Sequence, residues 1–202
     1  MPNKQENKRV ALFGGSFNPL HNGHIALAKA VLAHHYADEV WLLVSPQNPL
    51  KQIADLAPEQ VRFDIVQKAI SEETNIKASN IEFSLPRPSF TWNTLQALKE
   101  KYPNILFSLL IGADNWSVFS KWKNHELIVQ NHQLLIYPRD NDNIDKSKLP
   151  YNAKIVNAPL LPISSTLIRE RLIKGESIAA FVPQSVEVHI SDYYHYFLTN
   201  AQ

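Results

Sequence analysis

Residues 14–24 read GGSFNPLHNGH, and the residue types in this stretch suit an anion: two glycines, a serine hydroxyl and two imidazoles, His21 and His24, three positions apart. The apolar run RVALFGG at 9–15 ends in the glycines, and HIALAKAVLAHHY at 24–36 spaces its apolar residues at helical intervals. The stretch therefore reads as a turn between a strand and a helix. Such a turn gathers unpaired N–H groups and the positive end of a helix dipole, which favours phosphate. Gly14 and Gly15 let the backbone come close to it. The dinucleotide fingerprint G-x-G-x-x-G is absent, and so is the Lys-Ser/Thr ending of a mononucleotide P-loop. The two imidazoles fall roughly on one helix face and can reach one anion, with Gly23 keeping the space between them open. A zinc site is the weaker reading, because the chain has no cysteine and neither His21–His24 nor His34–His35 has H-E-x-x-H spacing. No protein metal site is expected.

A second stretch, ISSTLIRERL at 163–172, begins with the good N-cap residues Ser164 and Ser165 and carries Arg169 one turn on. Taken alone it is a capped surface helix with a solvated arginine. Taken with the first stretch it is a second anion cradle, built from a helix start, the Ser165 and Thr166 hydroxyls and a guanidinium.

GGSFNPLHNGH resembles one signature of the nucleotidyltransferases that share an H-x-G-H motif, and ISSTLIR resembles their other signature, in the expected order. Within that superfamily the chain is most similar, over nearly its whole length, to the bacterial nicotinate mononucleotide adenylyltransferases. The resemblance implies transfer of the adenylyl group of ATP to nicotinate mononucleotide, in NAD biosynthesis. It implies an ATP site of Gly14, Gly15, Ser16, Phe17, His21, His24, Ser164, Ser165, Thr166 and Arg169, with His21, His24 and Arg169 catalytic. SPQNPLK, SFTWNTL, IGAD and SKW resemble the family's nicotinate-side segments, which implies Asn48, Lys51, Thr91, Trp92, Asp114 and Trp122 for the mononucleotide, with the pyridine ring on Trp122. Asn18 and Asn93 stand where many relatives have aspartate.

No nucleophilic side chain is evident, and none is needed. A phosphate monoester with a second pKa near ~6 is already largely ionised at neutral pH and can displace pyrophosphate directly, in line. Magnesium is expected with the ATP phosphates, an ion that takes few ligands from protein. The alternatives are a related adenylyltransferase using nicotinamide mononucleotide or another phosphorylated acceptor, and a nucleotide-binding sensor without chemistry.

The elements that must position these groups alternate. Strands are expected at EVWLLVS (39–45), IKASNIEF (76–83), ILFSLLIG (105–112), HQLLIYPR (132–139) and AKIVNA (153–158), besides 9–15. Helices are expected at 58–70, 91–102, 125–131 and 164–175, with a C-terminal helical segment at 182–198, besides 24–36. That alternation predicts a Rossmann-like, doubly wound α/β fold: a mainly parallel sheet with helices on both faces, ligands lying where strand order reverses. The reading is one domain over 1–202, with 1–8 a flexible N-terminus and the polar stretch within 139–152 an exposed loop.

At 202 residues with 45% hydrophobic residues, the chain can bury a core without disulfides or metal staples. A formal net charge of +1 offers no long-range field for a polyanion, so nucleic acid is not an expected partner. No apolar run reaches the ~18 residues of a membrane span, and the short apolar stretch after the N-terminus is too brief for a signal peptide. A cytoplasmic location is expected, with no membrane partner. A homo-oligomer is compatible with the sequence.

Overall fold

The computed structural model describes residues 7–47, 56–138, 144–159 and 161–200. Six strands, β1 (Lys8–Gly15), β2 (Glu39–Val44), β3 (Ile76–Ser79), β4 (Ile105–Gly112), β5 (Gln133–Tyr137) and β6 (Ala153–Ile155), form one sheet. Its order is β3-β2-β1-β4-β5-β6, and every neighbouring pair is parallel. Leu12 of β1 lies between Trp41 of β2 and Leu109 of β4.

The near-continuous apolar runs follow from burial on both faces. Ala11, Phe13, Val40, Leu42, Val44, Leu110 and Leu135 pack on one side, beneath α1 (Asn22–Ala33) and α2 (Glu59–Ala69). Val10, Leu12, Trp41, Leu43, Leu109, Ile111, Leu134 and Ile136 pack on the other, beneath α3 (Thr91–Lys101) and α5 (His125–Asn131). Between these two helices in sequence comes α4 (Ala113–Ser117), one short turn after β4. A further cluster joins Ile65 of α2 to Ile168 and Leu172 of α6 (Ser165–Ile173) and to Val186, Ile190 and Tyr194 of α7 (Gln184–Asn200).

Several boundaries differ from expectation, the fifth strand among them at Gln133–Tyr137. The first helix starts at Asn22 and stops at Ala33, because His35 takes a left-handed conformation at φ 55°. The third strand runs only to Ser79; Ile81–Ser84 form a 3-10 turn in which the Phe83 N–H donates to the Asn80 carbonyl. The sixth strand stops at Ile155. The short helix α4 and the 3-10 turn Phe119–Lys121 were not anticipated, since neither is long enough to show a helical period. In the stretch expected as an exposed loop, Lys146–Lys148 form a 3-10 turn and Tyr151 is exposed. Among the described residues no helix is long and apolar enough to cross a membrane.

Candidate active site

Strand order reverses between β1 and β4, so the crevice beyond their carboxyl ends is where an open α/β sheet takes a ligand. Gly14 and Gly15 end β1 there, and Gly112 ends β4. A Cβ on Gly15 would lie 2.9 Å from the Phe17 ring, so glycine at this point lets that ring fold beneath the turn. Phe17 itself is held at φ 44°, a conformation that costs a side-chain-bearing residue about 1 to 3 kcal/mol. Its buried ring stands edge-on to Phe13 and to His24, at 5.7 and 5.0 Å between centroids.

The two imidazoles form one unit. His21 occupies the N-cap of α1, and its backbone N–H donates to Nδ1 of His24 at 3.2 Å. The rings are stacked, 3.6 Å between centroids and 29° between planes. Because Nδ1 of His24 is an acceptor, the proton of the neutral ring sits on Nε2, which makes that nitrogen a donor. A Cβ on Gly23 would come to 3.0 Å from Nδ1 of His21, so a side chain there would press on the stack.

The second signature docks directly on the first. Ser164 caps α6, its Oγ accepting from the Leu167 N–H at 3.1 Å. The Ser165 hydroxyl donates to the Pro19 carbonyl at 2.9 Å, across 146 positions of chain. Nη1 of Arg169 donates to the Asn18 carbonyl, also at 2.9 Å. The Ser165 hydroxyl hydrogen is thus committed to the first loop. Arg169 is half-buried at this place, with Nη1 engaged by the loop. Ser16, Gly14 and Thr166 are at least partly solvent-accessible.

Thr91 and Trp92 open α3, which has no acidic residue in its first turn. Trp122 follows the Phe119–Lys121 turn and packs on Phe119 at 5.3 Å, while Trp116 packs on the same ring at 5.4 Å. Lys123 places its Nζ 4.9 Å from the centre of the Phe90 ring, the residue that precedes α3. The segments carrying Thr91 and Trp122 are therefore adjacent. Asp114 lies at the start of α4 with its carboxylate curled over Gly112, where a Cβ would run into it. Asn48 and Lys51 lie outside the described residues.

Sequence reasoning missed a buried polar layer under these loops. Arg62 of α2 is fully buried, with Nε donating to the Ala57 carbonyl (2.7 Å), Nη1 to those of Ser16 (2.5 Å) and Ser45 (2.9 Å), and Nη2 to that of Pro46 (3.4 Å). The Asn18 side-chain oxygen accepts from the Ala57 N–H and from the Tyr194 hydroxyl, at 3.2 and 2.7 Å. Burial pushes the Tyr194 phenol well above its ordinary pKa, which keeps it a donor. Glu82, also buried, accepts from the Thr94 hydroxyl at 3.0 Å. Burial raises the Glu82 pKa, against the lowering effect of the Ser45, Thr94 and Ser89 hydroxyls. One sequence signal could have found Arg62: it shares the apolar face of α2 with Ile65 and Val66, three and four positions on.

Among the described residues no three or more His, Asp or Glu side chains gather as a metal cage. Residues 12–171 match the Cytidylyltransferase-like family. A Bacteroides fragilis protein named "Probable nicotinate-nucleotide adenylyltransferase" is 46% identical over 178 residues, 88% of this chain and 89% of that one. One of the same name from Flavobacterium johnsoniae is 41% identical, over 90% of this chain and 95% of that one. Among solved structures, Plasmodium falciparum nicotinic acid mononucleotide adenylyltransferase complexed with NaAD superposes with a TM-score of 0.79 at 21% identity, covering 96% of this chain and 100% of that one. That likeness carries the fold.

Proposed function

The chain belongs to the Cytidylyltransferase-like family and, within it, to the nicotinate-nucleotide adenylyltransferases; from that premise we propose how its own residues perform the reaction. ATP and nicotinate mononucleotide are the substrates; nicotinate adenine dinucleotide and pyrophosphate are the products.

An oxygen of the mononucleotide phosphate attacks the α-phosphorus of ATP from the side opposite the leaving pyrophosphate. One P–O bond forms while the bond to the bridging oxygen breaks, and the electron pair leaves with pyrophosphate. The attacking phosphate is already ionised, so no side chain takes a proton. The task left to the protein is alignment of two anions and stabilisation of charge on five-coordinate phosphorus.

His24, with Nδ1 occupied by the His21 N–H, would aim Nε2–H at the α-phosphate oxygens. His21, stacked on it, supports that orientation and offers a second ring. Gly14, Gly15, Ser16 and Phe17 supply the turn around the triphosphate. Ser164 and Ser165 set the start of α6, from which Thr166 and Arg169 face the outer phosphates.

On the acceptor side, the Trp122 ring takes the pyridine, and Thr91 with the N–H groups opening α3 takes the carboxylate. A neutral carboxamide would set an NH2 donor against those N–H groups, so this arrangement favours the acid. Asp114 borders the same place, and Asn48 and Lys51 are assigned to the loop after β2. Magnesium would arrive on the ATP phosphates, where it would neutralise charge, with water completing its shell; that mode needs no cage of three protein ligands, and none gathers among the described residues.

The observation that carries this reading is the contact of Ser165 and Arg169 with the Pro19 and Asn18 carbonyls, which supports a single phosphate cradle made of both signatures. The test is pyrophosphate release from ATP with each mononucleotide. Turnover of nicotinate mononucleotide well above that of the amide is expected; the reverse order would overturn the acceptor assignment.

A further inference from the structure

The glycine turn has no cation of its own in sequence, and Arg62 sits behind it. Its guanidinium is fully buried, and each hydrogen bond it makes among the described residues goes to a backbone carbonyl: Ala57, Ser16, Ser45 and Pro46. Among those residues it forms no ion pair; the nearby Glu59 is paired with Arg87 at 2.7 Å. Tyr194 and Asn18, which complete the layer, are neutral, the phenol donating to the amide oxygen. A guanidinium stays protonated even when burial lowers its pKa, as it does here.

Isolating a charge from water is costly unless carbonyl dipoles or an opposite charge answer it. Here four carbonyls answer it, shared among its three nitrogens, and one of them belongs to Ser16, in the middle of the anion-binding turn. In a trans peptide the carbonyl and the next N–H point in opposite directions. Fixing the Ser16 carbonyl on Arg62 therefore turns the Phe17 N–H away from the guanidinium. The same bond extends the positive field of the guanidinium through the polarised peptide.

Building on the adenylyltransferase reading, we infer that Arg62 is a fixed cation behind the phosphate turn, a positioning residue that never touches ATP but orients the Ser16–Phe17 peptide and adds buried positive charge to that of Arg169. Its bonds to Ser45 and Pro46 hold the end of β2 against the same turn, so the two loops leaving β1 and β2 share one buried anchor.

The test is calorimetric binding of adenosine, AMP, ADP and ATP to wild type, Arg62→Gln and Arg62→Lys, each shown folded by its melting transition. Gln keeps amide donors but loses the charge; Lys keeps the charge but reaches fewer carbonyls. In Arg62→Gln the loss of affinity should grow with phosphate number, to about tenfold for ATP, with adenosine within about twofold of wild type. In Arg62→Lys the preference for ATP over adenosine should stay within about threefold of wild type, a result that stands even if the Gln protein does not fold. Equal losses for all four ligands, or a Lys protein that loses the ATP preference, would reduce Arg62 to a structural clamp. A wild type without preference for ATP over adenosine would overturn the site reading and this inference with it.

Discussion

Gly23→Ala tests the stacked histidines most directly, because the added methyl meets one defined ring edge. The new Cβ would lie 3.0 Å from Nδ1 and 3.1 Å from Cε1 of His21, so the ring must retreat by a few tenths of an ångström. His24 is stacked 3.6 Å away and bonded to the His21 N–H, so the displacement passes to the ring proposed to face the α-phosphate. A 1 Å misplacement costs about a hundredfold in rate; a shift of this size should lower kcat about fivefold to tenfold. Stability should move little. Alanine is favoured over glycine in a helix by up to about 1 kcal/mol, and crowding a packed site costs a similar amount. The assay is pyrophosphate release at saturating substrates, with urea unfolding run in parallel. A kcat within about twofold of wild type would refute the claim that this spacing sets the imidazoles.

His24→Ala should lower kcat by about a hundredfold or more while the melting transition persists, as expected for loss of a preorganised transition-state contact; an unchanged kcat would discard that role. Trp122→Ala should raise KM for nicotinate mononucleotide about tenfold and KM for ATP far less, since stacking on an aromatic contributes about 1 to 3 kcal/mol per base; equal rises would remove the stacking assignment. Tyr194→Phe should cost about 1 kcal/mol in urea unfolding, the worth of a typical buried hydrogen bond, because the Asn18 side-chain oxygen loses the phenol as a donor. Glu82 binds its proton more tightly folded than unfolded, so wild type should lose stability relative to Glu82→Gln as pH rises from the ordinary carboxylate value to the raised folded one. The slope cannot exceed about 1.4 kcal/mol per pH unit; a pH-independent difference would contradict the raised pKa.

Much of the scaffold was local enough to be legible in the chain. The bounds Ile105–Gly112 and His125–Asn131 could be read directly from apolar runs closed by glycine and by a polar turn. The helical period gave α2 and α3 to within a residue or so, and the parallel sheet followed from the alternation of elements. The two signatures could also be recognised as short strings, because a strand-to-helix turn and an N-cap are each set by a handful of neighbouring residues. IEF at 81–83 went the other way: β-leaning residues beyond the reach of the β2 edge closed into a 3-10 turn instead.

What only the tertiary structure decided was which carbonyl each polar side chain would find. Ser165 reaches Pro19 across 146 positions, Arg169 reaches Asn18 across 151, and Tyr194 reaches Asn18 across 176. No period or spacing encodes such pairs, since they depend on how three helices stack behind one loop. Arg62 is the clearest case. Its place on the apolar face of α2 is written in the chain, yet its meaning comes from the unpaired carbonyls at the ends of β1 and β2, groups that exist only once those strands lie side by side and their ladder has run out.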